Sequence, residues 1–179
     1  MATADRWGNM VSFVHSIYSV YGSGVTIPPY GMILHNRGVA FSLEDGHPNI
    51  VAPRKRPFHS IIAGMVMQDG EPLMAFGNMG GAVQPETHAQ HMVNMIDHGM
   101  NVQMTTDAAR FTHNQTRNEL ALEHGLYSLV GNALAARGHQ VESVHGGWVG
   151  GYQGILFTKD PSLPEPEFTP ASISEDHPV

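Results

Sequence analysis

The amino-acid sequence predicts a layered α+β domain in which strands come first, helices follow and strands close the chain. Its 179 residues suit one domain. Apolar residues make up 41% of the chain, as in ordinary globular proteins. The predicted elements do not alternate strand by helix, as they would in a doubly wound parallel sheet, so a layered arrangement fits better.

Short strand patterns separated by turn residues fill the first part of the chain. Residues 10–14 are apolar and rich in β-forming side chains, which predicts a strand, and residues 31–34 predict another. Residues 43–57 contain one glycine and three prolines, and therefore predict an irregular loop.

A β-hairpin is the clearest local prediction. Residues 61–68 and 73–76 read as two strands, and Asp69-Gly70 between them is typical of a tight hairpin turn. The second strand runs directly into the glycine-rich stretch Gly77-Asn78-Met79-Gly80-Gly81.

Two apolar stripes at helical spacing follow. Thr87 is predicted to cap the first helix and Gly99 to end it, and its stripe comprises Ala89, Met92, Val93, Ile96 and Met100. Gly138 is predicted to end the second helix, whose stripe comprises Leu126, Leu129, Val130, Ala133 and Leu134. A short helix is predicted between them, at residues 105–109.

Two closing strands end the predicted domain. They cover residues 140–144 and 153–157, with a glycine-rich turn between them. We predict one domain over residues 1–160, followed by an extended, proline-rich tail over residues 161–179.

Charge and composition exclude several classes of function. The formal net charge of -7 argues against a nucleic-acid partner, because binding phosphates needs clustered Lys and Arg, and Arg54-Lys55-Arg56 is too short a cluster. The chain has no cysteine, hence no disulfide and no thiolate metal site. No apolar run approaches the length of a membrane span, so we expect no membrane association. Charged residues are only 14%, which favours a surface partly covered by a partner, although surface Gly, His and Asn would give the same figure.

The paired glycines Gly80-Gly81 are the most suggestive chemical feature. They stand between a predicted strand and a predicted helix, where backbone amides free of side chains can converge on a developing oxyanion. An ordinary tight turn is the alternative. The stretch is not a dinucleotide-binding fingerprint, because the strand–helix–strand context is missing.

The twelve histidines raise a metal hypothesis. His88 and His91 lie one helical turn apart and could share a ligand face, but no third ligand stands out near them. His59 and Ser60 are a weak base–nucleophile pair, since adjacent side chains on an extended segment point apart.

Taken together, these stretches resemble the small subunit of the γ-glutamyltranspeptidase family, collinearly from Ala4 to Thr158. The matching motifs are Ala4-Asp5-Arg6-Trp7-Gly8-Asn9-Met10-Val11-Ser12, Tyr21-Gly22-Ser23-Gly24, Leu34-His35-Asn36-Arg37-Gly38, Phe41-Ser42-Leu43, His47-Pro48-Asn49, Lys55-Arg56-Pro57, Gly77-Asn78-Met79-Gly80-Gly81, Gln84-Pro85, Gln103, Ala109-Arg110-Phe111 and Gly138-His139.

The resemblance implies an αββα four-layer sandwich of the N-terminal-nucleophile (Ntn) hydrolase type, of which this chain is the small-subunit half. It implies a precursor that cuts itself before a threonine, a large subunit of the same precursor as partner, and no cofactor. The threonine hydroxyl would attack an amide carbonyl, with its own α-amine as base. We expect a cytoplasmic protein, although any signal peptide would lie in the N-terminal half of the precursor.

The resemblance also assigns roles to individual residues. Gly80 and Gly81 would form the oxyanion hole, and Ser16 matches a hydroxyl residue that supports the nucleophile. His59 and Ser60 match a Ser-Ser pair that binds a substrate carboxylate, so only Ser60 keeps its hydroxyl.

The nucleophile itself is missing from the chain. The family pattern places it about three positions before Met1. Thr3 is a poorer candidate, because its register disagrees with the pattern. We therefore expect a chain that is catalytically incomplete as given. A non-catalytic binding or regulatory subunit, or a truncated inactive fragment, remains an alternative, and a His-rich metal-binding module is a third.

The predicted substrate pocket departs from the classical enzymes of the family. Arg37 and Ala40 replace the glutamine and aspartate that hold the γ-glutamyl amino group, and Tyr18 replaces an asparagine. Since a guanidinium fork suits a carboxylate, we expect a small-molecule amide that bears a carboxylate, as in the branch with oxamate amidohydrolase and cephalosporin-acylase-like members. The alternative is that Arg37 pairs with a structural acid. Near the C-terminus, Ile173 after Ala171-Ser172 is a further departure.

Overall fold

A computed structural model describes residues 1–158 and 167–172. The chain forms two compact units, one from Met1–Val14 with Ile62–Val179 and the other from His15–Ile61. The described strands are β1 (Ala2–Ala4), β2 (Met10–Ser12), β3 (Thr26–Ile27), β4 (Met32–Ile33), β5 (Ala63–Gln68), β6 (Glu71–Asn78), β7 (Phe111–Asn114), β8 (Glu119–Glu123), β9 (Gln140–Val144), β10 (Tyr152–Thr158) and β11 (Glu167–Ser172). The α-helices are α1 (Gln84–Ile96), α2 (Val102–Asp107) and α3 (His124–Ala136).

A four-stranded antiparallel sheet in the order β11-β10-β6-β5 is the centre of the first unit. β5 and β6 form the hairpin that the sequence predicts. Asp69 and Gly70 at its turn both have positive φ, 53° and 86°, as a two-residue turn that matches the strand twist requires. The hairpin prediction is confirmed, and β6 continues to Asn78, where the glycine-rich stretch begins.

The two faces of this sheet pack against different layers. The hairpin of β1 and β2 contacts β6, with the Ser12 hydroxyl donating to the Phe76 carbonyl at 2.6 Å. On the opposite face α1 contacts β6, and α2 contacts β10 and β11. The first unit is therefore layered as strands, sheet and helices, which confirms the predicted α+β class.

The core of the first unit lies between the sheet and the helices. Met74, Phe76, Val102 and Tyr152 form its buried centre, with Val66, Met92, Met95 and Leu156 packed around it. Alternate residues of a strand point to one face, so Met74, Phe76 and Asn78 all point to the helix side. Gly64 leaves room for the ring of Phe76, which a Cβ at this position would displace.

The structure corrects the predicted orientation of α1. Thr87 does not cap the helix; it is buried one turn inside, and its hydroxyl lies within hydrogen-bonding distance of the Val83 and Gln84 carbonyls. The buried face of α1 carries Gln84, Thr87 and His91, whereas Val93 and Ile96 are 45% and 71% exposed. The predicted apolar stripe is wrong at these two positions, because the face that packs on the sheet combines Gln84, Thr87 and His91 with Met92 and Met95.

The remaining elements of this unit were predicted in part. α2 begins earlier than the predicted short helix, with the Asn101 side chain accepting from the Met104 amide at 2.8 Å as its cap. β9 and β10 confirm the two closing strands. The predicted stripe of α3 is wrong at Leu129, which is 82% exposed.

A second sheet has three strands in the order β7-β8-β9. The sequence predicts β9 but neither β7 nor β8. β7 is short and mostly polar. β8 has three consecutive buried residues, from Leu120 to Leu122, and such a run does not distinguish a strand from a buried helix. α3 connects β8 to the parallel strand β9.

The second unit, His15–Ile61, has little regular structure. β3 and β4 form a short hairpin, which places a strand within the predicted residues 31–34. Residues 43–57 form turns, with one isolated bridge from Ser42 to Ile50, as the loop prediction implied.

Part of the predicted tail lies in the first unit. β11 pairs with β10 over residues 167–172, and the other residues after 158 lie outside the described ranges. Ile173, the predicted departure from the family pattern, lies outside them too. No helix in residues 1–158 or 167–172 is long and apolar enough to cross a membrane.

Candidate active site

The glycine loop, residues 79–81, follows β6 and precedes α1. Gly80 and Gly81 have φ of 133° and 63°, conformations that side chains rarely tolerate. Both residues are exposed, and neither amide donates a hydrogen bond to any described residue. Ladder pairing of β6 ends at Asn78, opposite Tyr152, so the two amides lie beyond the sheet.

The start of a helix raises the positive potential at this loop. A single 3-10 turn, Gly81–Val83, leads from the glycines into α1. The first amides of a helix have no partner within it and carry a partial positive charge. Two unpaired amides in exposed residues at such a start are suited to receive an oxyanion.

A second glycine segment, Gly150-Gly151, holds the glycine loop in place. The Met79 amide donates to the Gly151 carbonyl at 2.9 Å. Gly150 has φ of 75°, and a Cβ there would overlap with the Met79 carbonyl. Sequence reasoning treated this segment only as a turn, because a close approach between distant segments leaves no local pattern.

A buried ion pair supports the residue before that segment. Arg110 Nη2 lies 3.1 Å from Glu123 Oε1, and the Arg110 backbone amide donates to Glu123 Oε2 at 2.6 Å. The same guanidinium donates through Nη1 to the Val149 carbonyl at 3.3 Å. Arg110 belongs to a motif that carried the resemblance, and its role here is structural.

The two histidines of the metal hypothesis belong to an aromatic cluster beneath α1. The ring of His91 lies 3.9 Å from that of Tyr152, and the ring of His88 lies 4.9 Å from that of Phe76. His91 is fully buried, and neither of its ring nitrogens has a hydrogen-bond partner among the described residues. No group of three or more metal-ligating side chains occurs within residues 1–158 and 167–172.

Burial determines the protonation of these rings. It lowers the pKa of His88, and together with the Arg110 and His88 charges it lowers the pKa of His91 from its ordinary 6.5 to about 3. His91 is therefore a neutral core residue at neutral pH.

His91 should make the free energy of unfolding depend on pH. Its pKa is lower in the folded state than in the unfolded state, so between pH 6.5 and about 3 the unfolded chain binds more protons. The contribution of the neutral ring to the free energy of unfolding is fully present above pH 6.5. Below pH 6.5 this contribution falls by roughly 1.4 kcal/mol per pH unit. At pH 5 we expect a loss of about 2 kcal/mol relative to pH 7.5.

Urea unfolding at the two pH values tests this expectation. His91→Phe keeps an aromatic ring against Tyr152 and should remove this component of the pH dependence. His139→Gln, at an exposed histidine, should leave it unchanged. Equal pH dependence in His91→Phe and the parent would contradict the assignment.

In the second unit, the structure brings together four of the predicted substrate-binding and support residues. The Arg37 guanidinium contacts the Ser16 hydroxyl, donates to the Ser16 carbonyl at 3.2 Å, and lies 3.5 Å from the Ser60 hydroxyl. It also lies over the Tyr18 ring, 5.6 Å from its centroid. Tyr18 has φ of 77°, a conformation that is uncommon for a bulky residue and is concentrated at functional sites.

No carboxylate of the described residues forms an ion pair with Arg37, so the alternative of a structural acid finds no partner there. Ser60 is buried, at 7% exposure. His59 is exposed. Its Nδ1 accepts a hydrogen bond from the Ile61 amide at 3.1 Å and not from Arg37, Ser16 or Ser60. Thr3 lies in β1, opposite Val11.

Comparison with known proteins decides the family. The family model Gamma-glutamyltranspeptidase matches residues 1–169. This chain belongs to the γ-glutamyltranspeptidase family. The family assignment inferred from the motifs is thereby confirmed, and the Ntn-hydrolase fold with it.

Relatives in the family come from several branches. The chain is 37% identical over 147 residues to the Glutathione hydrolase-like YwrD proenzyme of Bacillus subtilis, covering 80% of this chain and 28% of that protein. It is 36% identical over 146 residues to the Oxamate amidohydrolase proenzyme of Klebsiella pneumoniae, covering 79% and 28%. The chain thus spans little more than a quarter of these γ-glutamyltranspeptidase-family proenzymes.

Solved structures of the family share the fold. A mutant of Helicobacter pylori γ-glutamyltranspeptidase superposes with a TM-score of 0.85 at 28% identity, covering 96% of each chain. Cephalosporin acylase from Bacillus halodurans superposes with a TM-score of 0.82 at 37% identity, covering 98% of this chain and 34% of that one.

Proposed function

We propose that this chain is the small-subunit part of an Ntn amidohydrolase that cleaves or transfers the acyl group of an amide through an N-terminal threonine. The observation that carries the proposal is the pair of amides in the exposed residues Gly80 and Gly81, which have no acceptor among the described residues and lie at the start of a helix. A non-catalytic subunit has no need of two such amides in a strained loop, which disfavours that alternative.

The proposed reaction has two steps with balanced proton transfers. The threonine hydroxyl attacks the amide carbonyl while the α-amine takes its proton, and the carbonyl oxygen becomes an oxyanion that the Gly80 and Gly81 amides bind. Collapse breaks the carbon–nitrogen bond, and the leaving amine takes the proton from the α-ammonium. Water or an acceptor amine then attacks the acyl-enzyme while the α-amine takes its proton. Collapse breaks the ester bond to the threonine oxygen, and the α-ammonium returns the proton to that oxygen.

In this proposal the threonine belongs to polypeptide that precedes Met1. Met1 and Phe13 exchange two backbone hydrogen bonds of 3.0 and 2.9 Å, so the pairing of β1 with its neighbour reaches the first residue. Partnership with a large subunit fits the many exposed apolar side chains, among them Trp7 at 75% and Leu43 at 96% exposure.

The surroundings of Arg37 support the proposal that the substrate carries a carboxylate. Its guanidinium has no carboxylate partner among the described residues, and the Ser60 hydroxyl beside it offers a further donor. Guanidinium and hydroxyl donors together suit a carboxylate and not an ammonium group. The relative from Klebsiella pneumoniae is named for oxamate, which is itself an amide bearing a carboxylate.

An assay of the complete proenzyme tests the proposal. The protein is expressed with the polypeptide that precedes Met1, and hydrolysis of oxamate, glutaryl amides and glutathione is compared by kcat/KM. We expect oxamate or glutaryl amides to be preferred, and we expect loss of activity when the upstream threonine is replaced by alanine. Preference for glutathione would contradict the substrate class. Absence of turnover on all three, with the threonine present, would favour the non-catalytic alternative.

A further inference from the structure

We infer that Asn78 is a positioning residue for the oxyanion-binding amide of Gly80, an inference that rests on the proposed function. Asn78 is the last residue of β6 and is only 2% exposed. Its Nδ2 lies 2.6 Å from the Met79 carbonyl, 2.8 Å from Thr87 Oγ1 and 3.3 Å from the Val149 carbonyl. Two of these partners are backbone carbonyls, which only accept, so the amide nitrogen must face them.

The bond to the Met79 carbonyl sets the direction of the Gly80 amide. The Met79 carbonyl and the Gly80 N–H belong to one planar trans peptide unit, and they point in opposite directions across it. A donor that fixes the carbonyl therefore fixes where the N–H points. Donation to a carbonyl also polarises the peptide, which makes its N–H a better donor to an oxyanion.

The second glycine amide is oriented by the backbone alone. The Gly80 carbonyl accepts from the Val83 amide at 3.4 Å, which orients the N–H of Gly81 in the same way. The Met79 amide on the other side of the loop is held by Gly151. Among the described residues, Asn78 is the side chain that holds a carbonyl of this loop.

Thr87 explains how Asn78 keeps its own orientation. Its hydroxyl accepts from Asn78 Nδ2 and lies 3.2 Å from the Val83 carbonyl and 3.0 Å from the Gln84 carbonyl. Asn78 is thus fixed between the first turn of α1 and Val149, which precedes β10. This contact accounts for the burial of a threonine that sequence reasoning had placed at the helix cap.

The experiment uses the complete proenzyme and compares Asn78→Ala with Asn78→Ser and a control. Serine keeps a donor in a side chain close to alanine in size. Asn101→Ala is the control, because it removes another asparagine hydrogen bond, the cap of α2, whose partner is the Met104 amide and not a group of the glycine loop. For each variant, kcat and KM are measured on the best amide substrate, and the Gly80 and Gly81 amides are followed by ¹⁵N-glycine NMR.

We expect kcat of Asn78→Ala to fall roughly 10- to 100-fold with KM little changed, because the Gly80 amide matters in the transition state. Asn78→Ser should lie between Asn78→Ala and the parent, and Asn101→Ala should keep the parent kcat. The Gly80 amide resonance should shift and exchange faster in Asn78→Ala but not in Asn101→Ala.

Two kinetic results would overturn the inference while leaving the proposed function standing. One is a kcat for Asn78→Ala equal to that of Asn101→Ala, and the other is a kcat for Asn78→Ser no higher than that of Asn78→Ala. A parent enzyme inactive on every amide would instead remove the proposed function. The Gly80 resonance needs no turnover, so an unchanged resonance in Asn78→Ala overturns the positioning role even then.

Discussion

Replacing Gly150 by alanine is expected to abolish amide turnover and to lower the free energy of unfolding by roughly 3–5 kcal/mol. A Cβ at this position would overlap with the Met79 carbonyl, and φ of 75° already disfavours a side chain. The Cβ is fixed to the backbone of residue 150 and the atom it would meet is a backbone oxygen, so no side-chain rotation relieves the overlap. The glycine loop must move, and its two amides move with it.

Gly99→Ala is the matched control for Gly150→Ala. Gly99 also has positive φ, 63°, but a Cβ there would meet no heavy atom within 4 Å. It should cost only about 1 kcal/mol of backbone strain and leave kcat unchanged. Urea unfolding and the amidase assay of both variants measure the difference. Similar stabilities and similar kcat values for the two would show that the Gly150–Met79 contact does not hold the glycine loop.

The parts of the fold that the sequence predicted are those with local causes. The β5–β6 hairpin follows from Asp69-Gly70, whose backbone preferences fix the turn without help from the rest of the chain. The burial of α1 depends instead on tertiary contacts. Thr87 is buried because it contacts Asn78, and His91 is buried because it contacts Tyr152. A pattern of hydrophobic residues along the sequence does not predict such polar and aromatic partners.

The candidate site was predicted unevenly for a similar reason. The resemblance pointed to Ser16, Tyr18, Arg37 and Ser60 at separate positions of the chain. The spacing of these residues along the sequence does not predict that they meet in the second unit. Asn78 lies within Gly77-Asn78-Met79-Gly80-Gly81, but the resemblance assigns no role to this asparagine. A polar residue closing an otherwise buried strand, directly before paired glycines, was the signal that could have identified it.

Arg37→Gln is expected to raise KM for a carboxylate-bearing amide about 100-fold with little change in kcat. Charge-assisted hydrogen bonds to a carboxylate are worth about 1.5–3 kcal/mol each, and a loss near 3 kcal/mol corresponds to about two orders of magnitude in affinity. In a glutaryl amide, methylene groups separate the carboxylate from the carbon–nitrogen bond that breaks, so on this substrate carboxylate binding should contribute equally to ground and transition states. KM for a neutral amide of similar size should stay within about threefold.

One further variant separates charge from geometry at this position, and a second variant elsewhere is a control for the loss of an arginine. Arg37→Lys keeps the positive charge but not the planar fork that contacts Ser16 and Ser60, so we expect a KM increase of roughly tenfold. Arg117→Gln removes an exposed arginine that lies 3.9 Å from a carboxylate oxygen of Glu119. An exposed ion pair of this kind contributes little to the free energy of unfolding. If Arg37→Gln lowers the unfolding free energy without raising KM for the carboxylate substrate, Arg37 serves to hold Ser16 and Ser60 together. The carboxylate preference would then need another cation, because Ser60 alone offers a hydroxyl without the charge that selects an anion.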